Sequence, residues 1–342
     1  MRAIVIHEHG GREKLKYEEV PTPGAGIGDV VVKVKAAGIN HFDHDIREGV
    51  SGMTHQMPHI LGLEAAGEIA EIGPGVYEFH VGDRVAPTFM LSEGSCRNCV
   101  AGRDNLCTRG GVLGVTTWGA YAEYVTVAER NLIRLPDTLS FNEAAAIQVT
   151  MGTVWQMAIT QAKIVPGEDV LVNGAGSGIG TAAIQIAKLA GARVIASAGS
   201  YEKLEKAKEL GADDVINYRE QSIAEEVLRL TEGRGVDVVI ESIGGSTLLQ
   251  SIDALAWAGR LVTCGAHAGE QVEINVIEFF RKQIAMFGTH GAPKAEIAHV
   301  FDLVAQGKLK AIIQQMFPLQ EAAHAHQLVD DRAVFGKLIL NP

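Results

Sequence analysis

Hydrophobic and polar positions follow two different rhythms along this chain. Up to about Val127 the apolar runs are short and repeat with a period of two. In the run VVVKVKAAG, Lys33 and Lys35 fall on one face and Val32 and Val34 on the other, the pattern of a half-buried strand. AIVIH near the start, GEIAEIG ending at Gly73 and AEYVTV around Val125 repeat it between Gly and Pro turn signals. Many short strands so spaced predict a barrel-like β region. From about Glu143 to His290 the texture changes. DVLVNGAG is an apolar strand running into glycines, and Ile179, Ala183, Ile186, Ala187 and Ala190 then recur at helical spacing as one stripe. RVIASAG, DDVINY, VDVVIES, GRLVTCG and QIAMFGT continue as strands, with helical periods in SYEKLEKAKELG and SIAEEVLRLT. Apolar strands alternating with helices predict a parallel sheet covered on both faces, a doubly wound α/β fold. The tail returns to mixed texture, with a helix near Ala295 to Ala305 and the strand-like FGKLILNP, and is expected to rejoin the first domain.

Composition narrows the class. The 342 residues suit two domains of ordinary size, and 47% apolar against 21% charged residues is enough burial to offset chain entropy. The 39 glycines against 10 prolines point to tight turns and close backbone approaches. A net charge of −11 argues against nucleic acid as a partner. The start MRAIVIHEHGG lacks the cationic-then-apolar pattern of a secretion signal, and no apolar run is long enough to span a bilayer. Four cysteines, three of them between Cys96 and Cys107, do not read as a secreted disulfide framework. The expectation is a cytoplasmic globular protein.

The strand ending at Val172 feeds NGAGSGIG and then a helix, the context in which a glycine loop binds a dinucleotide pyrophosphate. Gly174, Gly176, Gly178 and Gly180 allow close backbone approach, and Ser177 and Ile179 lie in the same turn, where the helix N-terminus offers unpaired N–H groups. Ile179 breaks the strict GxGxxG spacing. An NAD site needs an acid after the second strand; here the sequence runs Ala196, Ser197, Ala198, Gly199, Ser200, with no carboxylate before Glu202. Ser200 and Lys203, with Tyr218 and Arg219 after the third strand, suit a 2′-phosphate instead, so NADPH is the expected cofactor.

With these residues in view the whole chain resembles the medium-chain dehydrogenase/reductase superfamily, and within it the quinone oxidoreductase and enone reductase branch. The resemblance runs through AAGINHFDHDIREG, ILGLEAAGEI, VGDRVAP, GAYAEYV, AAAIQVTMGTVW, the glycine loop and FGKLIL. It implies a GroES-like catalytic domain from residues 1–149 and 291–342, a Rossmann NADPH-binding domain from 150–290, and an active site in the cleft. It also implies that Thr153, Gly265 and Lys337 contact the cofactor, and that the protein is a homodimer or homotetramer, with edge strands pairing near Ile284 to Thr289.

Zinc-dependent members of the superfamily carry metal ligands where this chain has Asn40, Leu63 and Val149, and only Glu64 persists. One carboxylate cannot hold a catalytic zinc. A substitute site from His41, His44, His55 and His59 beside Asp43 and Glu64 requires those side chains to converge. In EGSCRNCVAGRDNLC, Cys96, Cys99 and Cys107 keep the spacing of a structural zinc lobe, and Glu93 stands where the fourth cysteine would be. A Glu93/Cys96/Cys99/Cys107 tetrahedron and three free thiols both stay open.

Lacking a Lewis acid, an activated acceptor such as an enone, quinone or enoyl thioester is the expected small-molecule substrate, because its negative charge spreads over an enolate or hydroquinone anion. The resemblance puts Asn40 and Asp43 at the nicotinamide pocket; the Asn40 amide is a candidate donor to the oxyanion, and for Asp43 a catalytic role and an ordering of the loop by pairing with Arg47 both stay open. Water, His41, His59 and Tyr121 are candidate proton donors, and Trp118 and Trp155 are either pocket walls or core residues. The alternatives are an alcohol dehydrogenase with an atypical metal site and a non-catalytic NADPH-binding protein.

Overall fold

The computed structural model describes residues 1–50, 52 and 55–342. They form two compact units, Met1–Val149 with Pro293–Pro342, and Thr150–Ala292.

The first unit is built on strand Asp29–Gly38, whose valines are buried while Lys33 is exposed. Glu64–Ile72 pairs along it on one side, and Tyr124–Ala128 joins its first half. The C-terminal strand Lys337–Asn341 joins its far end, with Ile339 opposite Gly38 and Leu340 opposite Ala37. The sheet continues outward through Arg84–Pro87 and Leu132–Arg134 on one flank and Ile313–Pro318 on the other. One apolar core runs beneath, from Ile4, Ile6 and Val32 through Ile60, Leu63 and Leu113 to Phe317 and Leu340. The C-terminal segment is therefore integral to this unit.

The second unit holds six parallel strands in the order Asp214–Asn217, Arg193–Ala198, Asp169–Val172, Val236–Glu241, Leu255–Thr263 and Ala285–Gly288. Counted along the chain this is 3-2-1-4-5-6, the Rossmann order with its switch point beside the first strand. Asp169–Val172 is wholly buried, as its unbroken apolar reading required. Helices Gly178–Leu189, Tyr201–Glu209, Ile223–Leu230 and Gly245–Asp253 connect the strands. No helix among the described residues is long and apolar enough to cross a membrane.

Candidate active site

Three strand ends meet around Gly38. Asn40 lies two residues past the end of the central strand, Glu64 opens its strand directly opposite Gly38, and Lys337 opens the C-terminal strand that pairs there. A Cβ on residue 38 would run into the Ala145 carbonyl and the Glu64 carboxylate, so only glycine lets these groups close up. The Lys337 ammonium donates to Glu64 Oε2 at 2.6 Å, to Asn40 Oδ1 at 2.8 Å and to the Ile39 carbonyl at 2.7 Å. Asn40 Nδ2 donates to the same Glu64 oxygen at 2.8 Å, and the Val149 N–H donates to Glu64 Oε1 at 2.6 Å. The ion pair is sealed, with side-chain exposures of 5% for Lys337 and 0% for Glu64. Burial on that scale is tolerated because every donor on the ammonium has an acceptor. The ammonium of Lys337, for which a cofactor contact was expected, is committed to Glu64, Asn40 and Ile39.

From Asn40 the chain turns into helix His41–Glu48, locked by Asp43, which accepts from the Asn40 N–H at 2.9 Å and the Gly62 N–H at 3.2 Å. Asp43 does not pair with Arg47. Its third partner is the Tyr121 hydroxyl, which donates to it at 3.1 Å, and His326 Nε2 lies 3.3 Å from that same oxygen. Arg47 Nη1 donates to His326 Nδ1 at 3.1 Å, which leaves the His326 proton on Nε2, pointing at Tyr121. The guanidinium, fully buried, also meets Glu48 at 2.9 Å, His44 at 3.2 Å and the Gly10 carbonyl. Burial pushes Asp43 up to about 7, against the Asn40 N–H, Lys337 and the Tyr121 hydroxyl, which all favour its ionised form. Burial and then the charge of Asp43 hold Tyr121 well above its ordinary value. A sealed phenol whose proton is committed to a carboxylate is a poor proton donor, so Tyr121 serves here as scaffolding. His59 is buried against the Gly114 carbonyl at 2.9 Å, and the Trp118 indole N–H donates to the Pro58 carbonyl.

The four histidines do not form one metal-binding cluster among the described residues. His55 packs between His9 and His59, with ring centroids 4.9 and 4.8 Å away. His41 stacks on His44, which is bound to Asp330 at 2.5 Å. Nor do the residues at the usual catalytic position fit zinc. Leu63 is buried and apolar, Val149 contributes a backbone N–H, and a lysine ammonium lies against the one remaining carboxylate.

In the second unit the expected cofactor residues gather at the carboxyl ends of the strands. Gly174 turns the chain at φ +66°, Ser177 caps the helix by accepting from the Gly180 N–H at 2.9 Å, and Gly178 and Ile179 begin it. A Cβ on Gly180 would strike the Gly174 carbonyl and Ala175, so that position must be glycine for the loop to lie on its helix. Beneath, Ser197 donates to Asn173 at 2.8 Å and Asn173 to Ser251 at 2.7 Å, tying the first two strands to helix Gly245–Asp253. Lys203 lies across Gly176: a Cβ there would come within 2.8 Å of its Cδ. The Tyr218 hydroxyl and the Arg219 guanidinium both border Gly199, and Ser200 caps the next helix. A hydroxyl, a guanidinium and a helix N-terminus thus border the end of the second strand, a lysine stem lies across the glycine loop, and the arrangement fits a dinucleotide. Gly265 follows the fifth strand, and Thr153 is buried in helix Phe141–Trp155.

In the cysteine lobe, one ligand atom from each of Glu93, Cys96, Cys99 and Cys107 lies within 4.8 Å of all the others. Cys96 Sγ is 3.4 Å from Cys99 Sγ and 3.9 Å from Cys107 Sγ. Those separations bracket the roughly 3.8 Å edge of a zinc–thiolate tetrahedron with ~2.3 Å bonds. Backbone N–H groups of Cys99 and Thr108 draw the Cys96 thiol down to about 6, whereas burial followed by the neighbouring sulfurs pushes Cys99 up to about 11. The Ser95 hydroxyl and the Cys96 N–H hold Glu93 down at about 2. Three sulfurs and a carboxylate fit one closed structural zinc, the exposed Arg109 guanidinium that donates to Glu93 Oε1 at 3.0 Å being free to swing off into water.

Two family models cover most of the chain: the alcohol dehydrogenase GroES-like domain over residues 26–137 and the zinc-binding dehydrogenase over 178–306. The chain belongs to the medium-chain dehydrogenase/reductase superfamily and is an oxidoreductase of that family. It is 44% identical, over all of both chains, to a solved structure described as an NAD-dependent alcohol dehydrogenase, with a TM-score of 0.95. A 2-haloacrylate reductase from Burkholderia is 32% identical over 99% of this chain and 98% of its own length. The quinone oxidoreductase of Escherichia coli, solved in complex with NADPH, is 30% identical over the full length of both chains, with a TM-score of 0.84. Alcohol dehydrogenases and quinone oxidoreductases thus stand side by side among its relatives.

Proposed function

We propose that the protein is an NADPH-dependent reductase that delivers hydride to an activated carbon–carbon double bond or a quinone, without a catalytic zinc. The observation that carries this reading is the Lys337 ammonium, buried against Glu64 and Asn40 where zinc-dependent relatives keep their ligands. A plain carbonyl gathers the charge on one oxygen and gains most from a Lewis acid, whereas an enone, quinone or enoyl thioester spreads the charge and asks only for hydrogen-bond donors. NADPH, when bound, supplies the hydride. Ser200, Lys203, Tyr218 and Arg219 favour its 2′-phosphate, and no carboxylate ends strand Arg193–Ala198 to repel it. The Asn40 amide donates to the developing oxyanion, and Asp43 holds the turn that presents it. The reduced product takes its proton from water or from His41, which is 43% exposed. The protein works in the cytoplasm as a homodimer or homotetramer, with one structural zinc in the Glu93 lobe.

The alcohol dehydrogenase name on the 44% identical structure supports a second reading, alcohol oxidation with NAD. One assay separates them. Purified protein with measured zinc content is offered NADPH or NADH with 2-cyclohexen-1-one, 1,4-benzoquinone, crotonyl-CoA and aldehydes, and NAD+ with alcohols, with and without chelator. Chelator-indifferent NADPH oxidation by enone or quinone is expected. Alcohol oxidation abolished by chelation and restored by zinc would favour the second reading, and cofactor binding without turnover would leave a binding protein.

A further inference from the structure

We infer that Lys337 and Glu64 act together as a positioning pair that orients the Asn40 carboxamide and leaves one of its N–H bonds as the outward donor. This deepens the reductase reading and rests on it for the role given to that donor. The orientation follows from chemistry. An ammonium can only donate, so the side of Asn40 facing Lys337 at 2.8 Å must be Oδ1. A carboxylate can only accept, so the side facing Glu64 at 2.8 Å must be Nδ2. An amide elsewhere is free to turn over; here both flanking groups reject the flipped form.

Counting donors shows which group is left to act. The three N–H bonds of Lys337 go to Ile39, Asn40 and Glu64, so the lysine has none for a substrate. Glu64 is enclosed by Lys337, Asn40 and Val149. Asn40 Nδ2 carries two hydrogens and gives one to Glu64, and the other has no partner among the described residues. Asn40 is also the half-buried member, while Lys337 and Glu64 are closed off. The pair supplies the orienting charge and the amide supplies the contact. Lys337 is therefore a positioning residue, and neither a proton donor nor a cofactor ligand.

The test uses the double variant Lys337→Met/Glu64→Gln. Either single change strands a buried charge, whereas the double change removes both charges at similar volume and is expected to fold. The carboxamide that Glu64→Gln introduces can both donate and accept, so either orientation of the Asn40 amide is then satisfied. Turnover of NADPH with 2-cyclohexen-1-one should fall ten- to a hundredfold in kcat, in the range of a misplaced oxyanion donor, with the NADPH dissociation constant within twofold of wild type. An unchanged kcat in the folded double variant overturns the proposal. So does an NADPH dissociation constant that rises in step with the loss of kcat, since that would make Lys337 a cofactor ligand. Should the wild type reduce neither this enone nor 1,4-benzoquinone, the reductase reading falls by itself. The clamp is then read from spectra of protein labelled with 15N at asparagine, with Asn40→Asp identifying the resonance pair. Hydrogen exchange at the Asn40 amide at least tenfold faster in the double variant supports the clamp, and equal exchange overturns it.

Discussion

Asp43 and His326 sit two hydrogen bonds apart, joined through the Tyr121 hydroxyl, and burial moves them in opposite directions. Asp43 rises from 3.8 to about 7, while His326 falls from 6.5 to about 3, first through burial and then through the charge of Arg47. For the carboxyl the folded state is the better proton binder. Its contribution is present below 3.8 and lost as pH climbs through 7. For the imidazole the unfolded state is the better binder, so its contribution is present above 6.5 and lost as pH falls toward 3. Between those ordinary values the two slopes oppose each other, one proton each. His326→Gln keeps a donor for Tyr121 and an acceptor for Arg47 but removes one slope. The difference in unfolding free energy between wild type and variant should then widen by ~1.4 kcal/mol per pH unit from about 4 to 6.5. Urea denaturation across that range checks it, and a constant difference would rule it out. A second residue-scale prediction concerns Lys203, whose stem lies across Gly176, and Arg219, which borders Gly199. Lys203→Ala with Arg219→Ala should raise the NADPH dissociation constant about tenfold or more and leave NADH within about twofold, because charge-assisted bonds to the 2′-phosphate are lost. Equal weakening of both cofactors would place that phosphate elsewhere.

At the scale of elements, the glycine loop and its helix act as one piece. Gly180→Ala forces a methyl into the Gly174 carbonyl and Ala175, both backbone, and neither can swing aside as a side chain would. The helix must then lift from the loop. NADPH binding is expected to weaken at least tenfold, about 1.4 kcal/mol, in a fluorescence titration. Wild-type affinity would show that the loop tolerates the displacement. The cysteine lobe is expected to behave differently, because its four candidate ligands come from the span Glu93 to Cys107 and lie within 4.8 Å of one another. The protein as purified should carry about one zinc per chain, and a strong chelator should lower its melting temperature while NADPH affinity stays unchanged, since a closed structural site fastens its own segment. Metal analysis beside calorimetry decides it, and a melting temperature indifferent to chelator would leave three free thiols.

At the scale of the whole molecule, strand Ala285–Gly288 is the last in its sheet and, among the described residues, pairs on one side only. Apolar side chains stand exposed in the same unit: Trp257 at 74%, Val276 at 67% and Phe280 at 60%. An open edge and uncovered apolar side chains are costly in water and suit a second copy of the chain. Light scattering should give a mass of two or four chains, and Phe280→Glu with Val276→Glu should shift it toward one. A monomeric wild type would end that proposal.

The period-two and helical rhythms, read locally, were enough for the α/β class, the six strands of the second unit and the longer strands of the first, but not for Lys16–Glu19, Arg84–Pro87, Leu132–Arg134 or Ile313–Pro318. Glycines at fixed spacing marked the loop, because turn chemistry and strand burial depend on neighbours a few residues away. Lys337 opening the apolar run Leu338 to Leu340 was a visible anomaly, but nothing local says that its ammonium meets Glu64, 273 residues away. His326, between Ala325 and Gln327, carries no local signal, and Arg47 is the arginine or lysine nearest Asp43 in the sequence. Which groups meet was decided where the N-terminal and C-terminal strands close on Gly38 and the buried charges had to find partners, since a carboxylate or guanidinium cut off from water takes whichever complement the fold brings within reach.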